Sequence, residues 1–218
     1  MNSRARWPKA AVVLGCCVGS GCGTFTVQHT AEPLARGQWR GSVISTVQTL
    51  RDNEQSATVP GGAVGLAAAR GVGHNSEVGG AISTLGVEAF GKTRFWQSNG
   101  ATPWSLAALV AIGGVQLPAR SLISPGTEVH ARLIGIATKR TSGCLTWSVG
   151  PAVAAYEFWP RNGGSEHGVW FGGFGNLAWQ WSPAWTLTPE VSLHRAASGT
   201  FPVDGSIAQL TVGVSRTW

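Results

Sequence analysis

From residue 37 onward, apolar and polar side chains alternate, and the alternation is broken at intervals by Gly, Pro, Asn and Ser clusters. A period of two is the mark of strands with two unlike faces. The first segment, "QWRGSVISTVQTL" (38–50), sets Trp39, Val43 and Val47 on one face. Arg40, Ser42, Thr46 and Gln48 share the other, with Ile44 out of pattern. Further strands are expected at 62–72, 77–86, 87–96, 104–115, 128–139, 144–158, 169–181, 185–195 and 206–218. In "VEAFGKTRFW" the face Val87, Ala89, Gly91, Thr93, Phe95 alternates with Glu88, Phe90, Lys92, Arg94, Trp96. "WTLTPEVSLHR" sets Trp185, Leu187, Val191 and Leu193 against Thr186, Thr188, Glu190, Ser192 and His194. The pattern predicts an all-β chain of about ten antiparallel strands (8–12).

Most of these strands run to about 9–13 residues, longer than the ~5–6 usual in soluble sheets and near the ~9–11 that cross a bilayer. The connections alternate in length. "GHNS", "RTSG" and "SPA" are short, whereas "RDNEQSATVPG", "QLPARSLISPGT", "WPRNGGSEHG" and "AASGTFPVDG" are long. The pair near 84–87 breaks this rule, because its connection is nearly nil. Two architectures alternate in this way: a soluble sandwich and a closed barrel in lipid. Composition separates them. The 218 residues hold 31 Gly and 11 Trp but only 12% charged side chains, about half the usual ~25%. The more polar face is built from Gly, Ala, Ser and Thr, which suits a narrow lumen better than a wetted sheet. Trp179, Trp181 and Trp185 flank one turn, and Trp39, Trp96, Trp104 and Trp218 fall at the same notional level, as an interfacial belt would. The expectation is an up-and-down transmembrane β-barrel over residues 37–218.

The N-terminus carries an address. "MNSRARWPK" is basic, "AAVVLGCCVGSG" is short and apolar, and Cys22 follows. This is the layout of a secretory signal peptide over residues 1–21. "GSG" before Cys22 resembles the lipobox of bacterial lipoproteins, whose cysteine becomes the lipidated first residue of the mature chain. Gly19 stands where a Leu is usual, and Cys16, preceded by "VLG", fits the consensus better but leaves a shorter apolar stretch. An ordinary signal peptide with incidental cysteines is the plainer alternative. Gly23 rather than Asp after Cys22 implies, by that family's sorting rule, the outer membrane. Residues 22–36 then read as a lipidated periplasmic tether. With Cys16 and Cys17 gone, Cys144 would be the other cysteine and no disulfide is expected. Setting aside Arg4, Arg6 and Lys9 leaves 13 basic against 10 acidic residues, a net charge of +3, with no basic run. No nucleic-acid partner is expected.

Residues 37–218 resemble bacterial outer-membrane β-barrel proteins, and among them small barrels made as lipoproteins. The most specific likeness is the terminal "SIAQLTVGVSRTW". In that family the last strand carries a polar, Gly and alternating apolar signal ending in an aromatic residue. Thr211, Gly213, Val214, Arg216 and Trp218 lie in its register, with Arg216 where an apolar residue is usual. The resemblance implies recognition by the barrel-assembly machinery, handling by the lipoprotein processing and sorting machinery, outer-membrane lipids as surroundings, and both termini in the periplasm.

Chemistry is sparse. Arg40, Glu88, Lys92, Arg94, His130, Arg132, Glu190 and His194 are expected to face inward. They form either a selective constriction or an ion-pair network filling a barrel too narrow to conduct. Barrel enzymes, proteases or lipid A-modifying, would need acid and Asp–His pairs. Asp52 and Asp204 are the only aspartates and lie in separate loops, although Asp204 could approach His194. No Ser–His–acid set or metal-ligand spacing stands out. The sequence is thus read as a non-enzymatic barrel with a structural or ligand-binding role and no cofactor. A narrow pore or transporter is the alternative.

Overall fold

The computed structural model describes residues 27–52, 58–100, 102–117, 125–199 and 205–218. Ten strands follow in order: β1 (Trp39–Asp52), β2 (Thr58–Gly71), β3 (Ser76–Ser83), β4 (Gly86–Gln97), β5 (Trp104–Leu117), β6 (Gly126–Arg140), β7 (Leu145–Pro160), β8 (Glu166–Gln180), β9 (Trp185–Gly199) and β10 (Gly205–Thr217). Each pairs with its neighbour, and β1 pairs antiparallel with β10, so the sheet closes into a barrel. Closure leaves no strand edge unpaired. It runs to the last residue: Trp39 N–H donates to Trp218 O, and Trp218 N–H donates to Trp39 O, both at 3.0 Å. Both Trp39 and Trp218 therefore mark one end, the terminal end, where β2–β3, β4–β5, β6–β7 and β8–β9 also turn. The other five hairpins turn at the far end.

Alternation sorts the wall. Val43 (54% exposed), Ile112 (61%) and Leu193 (61%) point outward with Leu66, Val110, Leu133, Val153, Phe171 and Leu210. Their companions Thr46, Gln48, Ser148, Ser192, Gln209 and Thr211 are buried inside. Ile44 keeps the parity of β1 and lines the lumen. Along β10, Arg216 pairs with Trp185 and Ser206 with Arg195, and between them Val214, Val212, Leu210 and Ala208 face outward. At a strand rise of ~3.3 Å and a tilt near 40°, the four apolar residues cover about 15 Å of height, and the polar residues that flank them stand about 25 Å apart.

Two local departures have physical causes. β3 stops at Ser83 because the chain reverses over Thr84 and Leu85. The Ser83 hydroxyl accepts the N–H groups of Leu85 and Gly86, both at 3.2 Å, so a side chain replaces the missing loop. In β4 the register shifts between Arg94 and Trp96. The bulge puts both Phe95 and Trp96 outside. Trp96 thus leaves the inner face assigned to it by strict alternation and joins the outer aromatic ring.

The interior is less polar than Gly, Ala, Ser and Thr alone would make it. Toward the far end, Leu50, Leu85, Val115, Tyr156, Phe158, Trp170 and Ile207 pack in one buried cluster. Toward the terminal end, Phe90, Leu109, Ile134, Ile136 and Phe174 pack around Val27, Ala31 and Leu34.

Candidate functional site

Residues 27–36, expected to lead to the first strand as a tether, run inside the barrel instead. Arg36 bridges Gly71 at the terminal end, and from there the segment sinks until Leu34, Ala31 and Val27 are buried. A segment inside a closed wall finds no free ladder, so its backbone groups need side-chain partners. The wall supplies them. Glu190 accepts the N–H groups of Val27 (2.8 Å) and Gln28 (2.7 Å). Thr138 Oγ1 accepts Ala31 N–H (2.7 Å), and Glu77 accepts Leu34 N–H (2.9 Å). Lys92 Nζ donates to the carbonyls of Thr30 (2.7 Å) and Glu32 (3.0 Å), and Asn176 Nδ2 donates to His29 O (3.1 Å). The segment is a plug. Residues 1–26, with Cys16 and Cys22, lie outside the described residues, as does Asp204.

The inward charges divide into groups. At the plug, Glu77 meets Arg40 (2.8 Å) and Lys92 (3.0 Å), and Arg94 meets Glu32 (2.7 Å). Glu190 stands across the lumen on the plug's inner end. Farther in, Glu88 pairs with Arg132 and lies 3.3 Å from His130, whose Nδ1 is 3.3 Å from Glu128. His194 is buried beside this second group. A cavity of roughly 90 Å³ lies between plug and second group, bounded by Ile44, Phe90, Leu109, Arg132 and Ile134. Arg40 and Lys92 share the Glu77 carboxylate, Arg94 and Arg132 each have a carboxylate of their own, and Glu190 is held by N–H donors. Among the described residues, no three His, Cys, Asp or Glu side chains gather to share a metal ion.

His29 of the plug sits edge-on to Phe90, with Nδ1 3.3 Å from Glu77 and 3.2 Å from Arg40. Burial, reinforced by the charges of Lys92 and Arg40 and opposed by Glu77, pushes its imidazole down to about 4.

The C-terminal residues divide by face. Thr211 is buried inside and bonded to Thr46 (3.1 Å). Gly213 faces the Gln28 side chain, which occupies the space a Cβ would need. Gln28 itself has a φ of 48°, so the plug turns tightly where Gly213 makes room for it. Val214, Arg216 and Trp218 face outward, and Arg216 lies over the Trp185 ring at 5.7 Å.

Sequence reasoning missed His29, Glu32, Glu77, Glu128, Thr138 and Asn176. Glu77 and Glu128 share the parity of the lumen residues on their strands and were findable from alternation. Glu32 and His29 carry no periodic signal, because the plug has none.

No family model matches the chain, and no curated protein does. Solved structures do. The attachment invasion locus protein Ail of Yersinia pestis, crystallised with the heparin analogue sucrose octasulfate, is 10% identical over 84% of this chain and 99% of its own, with a TM-score of 0.42. The translocator domain of the autotransporter NalP from Neisseria meningitidis is 10% identical over 85% of this chain and 90% of its own, at 0.42. Neisserial surface protein A is 7% identical over 83% and 99%, at 0.37. At these scores the likenesses carry no argument about what this chain does.

Proposed function

We propose that this chain is a bacterial outer-membrane β-barrel, made as a lipoprotein on Cys22 or Cys16, whose lumen is permanently closed and whose role is structural or ligand-binding rather than catalytic. Its location is argued from the outer wall. An apolar outer band, bounded on β10 by polar flanks about 25 Å apart and edged at the terminal end by Trp39, Trp96, Trp179, Trp185 and Trp218, resembles the lipid-facing band and aromatic girdle of membrane barrels. Such a surface would be an aggregation hazard in water.

One observation carries the closed-lumen reading. The bore is filled twice: by residues 27–36 at the terminal end and by the Tyr156, Phe158 and Trp170 cluster toward the far end. Ions crossing this barrel would have to displace both. In planar bilayers the full chain is expected to give no unitary conductance at any voltage. Steady channels from the full chain would overturn the closed reading and favour the narrow pore. Channels seen only after removal of residues 27–35 would make the chain a plugged channel. Lipidation is checked separately, by labelled fatty acid incorporated into the wild-type chain and lost in a Cys22→Ser or Cys16→Ser variant.

A further inference from the structure

The geometry points to a binding ring for anionic glycerophospholipid headgroups around the outer rim of the terminal end. It rests on the membrane reading above and adds a partner to it.

The charges of this barrel are unevenly placed. Glu32, Glu77, Glu88, Glu128 and Glu190 take part in the lumen contacts already described, Asp52, Glu157 and Glu166 lie at the far ends of β1, β7 and β8, and Glu54 and Asp204 lie outside the described residues. These ten are all the acidic residues. The terminal-end turns, "VGHNS", "SNGATP", "TSGC" and "WSPA", hold none. Around the same turns stand Arg36, Arg70, Lys139, Arg140 and Arg216. Among the described residues, the outer side chains of this rim therefore carry positive charge alone. Among the described residues the far end mixes Arg51, Arg161 and Arg195 with its acids.

The cations on the outer wall are also built in, by one repeated device. Arg70 lies over Trp39 at 5.4 Å, Lys139 over Trp104 at 5.4 Å and Arg216 over Trp185 at 5.7 Å. In each case cation and ring are direct cross-strand partners: Trp39 with Arg70, Trp104 with Lys139, Arg216 with Trp185. Trp147 flanks Lys139 from the other side and meets Trp104 edge-on at 5.0 Å. The three pairs fall on β1–β2, β5–β6 and β9–β10, so they are spread around the barrel. A tryptophan at the membrane interface places its ring at headgroup depth. A cation held on that ring's face is at the same depth, pointing out of the wall, with no acidic side chain paired to it among the described residues. The chemistry that completes such a site is a phosphodiester with a net negative charge. A zwitterionic headgroup brings its own cation and is repelled in part.

The test is boundary-lipid selectivity. The full chain is placed in phosphatidylcholine vesicles doped with spin-labelled phosphatidylglycerol or spin-labelled phosphatidylcholine, and the motionally restricted fraction is compared. The expected preference for phosphatidylglycerol is about three-fold at low salt, since each cation near an anionic surface favours it up to about five-fold, and it falls as salt rises. An Arg70→Gln/Lys139→Gln/Arg216→Gln triple variant is expected to lose the preference. Arg70→Lys/Arg216→Lys, which keeps the charge, is expected to retain most of it and guards against a folding defect in the triple. A ratio near one in the wild type, or a preference unchanged in the triple, overturns the proposal. So does a preference abolished instead by Arg51→Gln/Arg161→Gln/Arg195→Gln at the far end. Failure of the membrane reading looks different: the chain would not enter phosphatidylcholine vesicles at all and would show no heat-modifiable band.

Discussion

Removing the Glu190 carboxylate should release the inner end of the plug. Glu190 is 2% exposed and receives two backbone N–H groups, Val27 at 2.8 Å and Gln28 at 2.7 Å, with Asn176 Nδ2 at 3.4 Å. Hydrogen bonds to a charged group contribute about 1.5–3 kcal/mol each, and a buried donor left without a partner costs about 1–3 kcal/mol. A Glu190→Ala variant loses both bonds. Water entering the vacated space would recover part, which leaves a net loss of roughly 3 kcal/mol in plug docking. The assay is native-state hydrogen exchange at the amides of residues 27, 28, 31 and 34. Exchange through undocking should accelerate on the order of 100-fold, at about 1.4 kcal/mol per factor of ten. Glu190→Gln keeps the shape and one acceptor oxygen, so its effect should be smaller. Amides of the wall, such as Ser192 and Thr211, should keep their protection, because their ladder bonds do not involve the carboxylate. Unchanged exchange at Val27 and Gln28 would refute the reasoning. So would equal acceleration in plug and wall, which would mean that Glu190 props the barrel rather than seating the plug.

Other expectations are open to the same kind of check. Lys92→Met leaves the carbonyls of Thr30 and Glu32 without their donor and Glu77 with Arg40 as its remaining strong cation, so limited proteolysis within residues 27–36 should increase, with a stability loss of about 1–3 kcal/mol. Gly213→Val should unseat Gln28 at a cost of about 1–3 kcal/mol, read by the same exchange experiment, and Gln28→Ala should restore part of the loss. Acid should loosen the plug. Undocked His29 titrates near its ordinary 6.5 and docked His29 near 4, so the undocked form binds more protons as pH falls. Docking is then fully favoured above about 6.5 and weakens on the way down to 4, by on the order of 2–3 kcal/mol. A His29→Gln variant should flatten that dependence in a thermal-shift or exchange titration, and an unchanged slope would count against it.

The barrel was legible because one physical fact writes it along the chain. Each strand has one face turned outward and the other on the lumen, so Val43, Val47, Val191 and Leu193 alternate with Thr46, Gln48, Ser192 and His194. The inward set of charges follows from the same parity. Trp96 was misplaced because a bulge resets parity without marking the sequence. The plug was illegible for a deeper reason. Its partners bind backbone atoms: Glu190 takes the N–H of Val27, and Lys92 gives to the carbonyl of Thr30. Every residue carries those atoms, so a segment seated by its backbone needs no particular composition. The far-end apolar cluster was hidden differently, since Phe158 and Trp170 on an inner face read as ordinary strand residues until closure brings them together.

The seating of the plug also bears on how the barrel holds its circumference. Nine of its pairings join strands adjacent in sequence, whereas the β1–β10 seam brings together residues such as Gln48 and Gln209, 161 positions from each other. The chain entropy of closing the ring falls on that one seam. The plug continues directly into β1, and its partners belong to β3, β4, β6, β8 and β9. Once seated, it holds β9, the neighbour of β10, within a few residues of β1. It thus acts as an internal cross-link that raises the effective concentration of the two seam strands for each other.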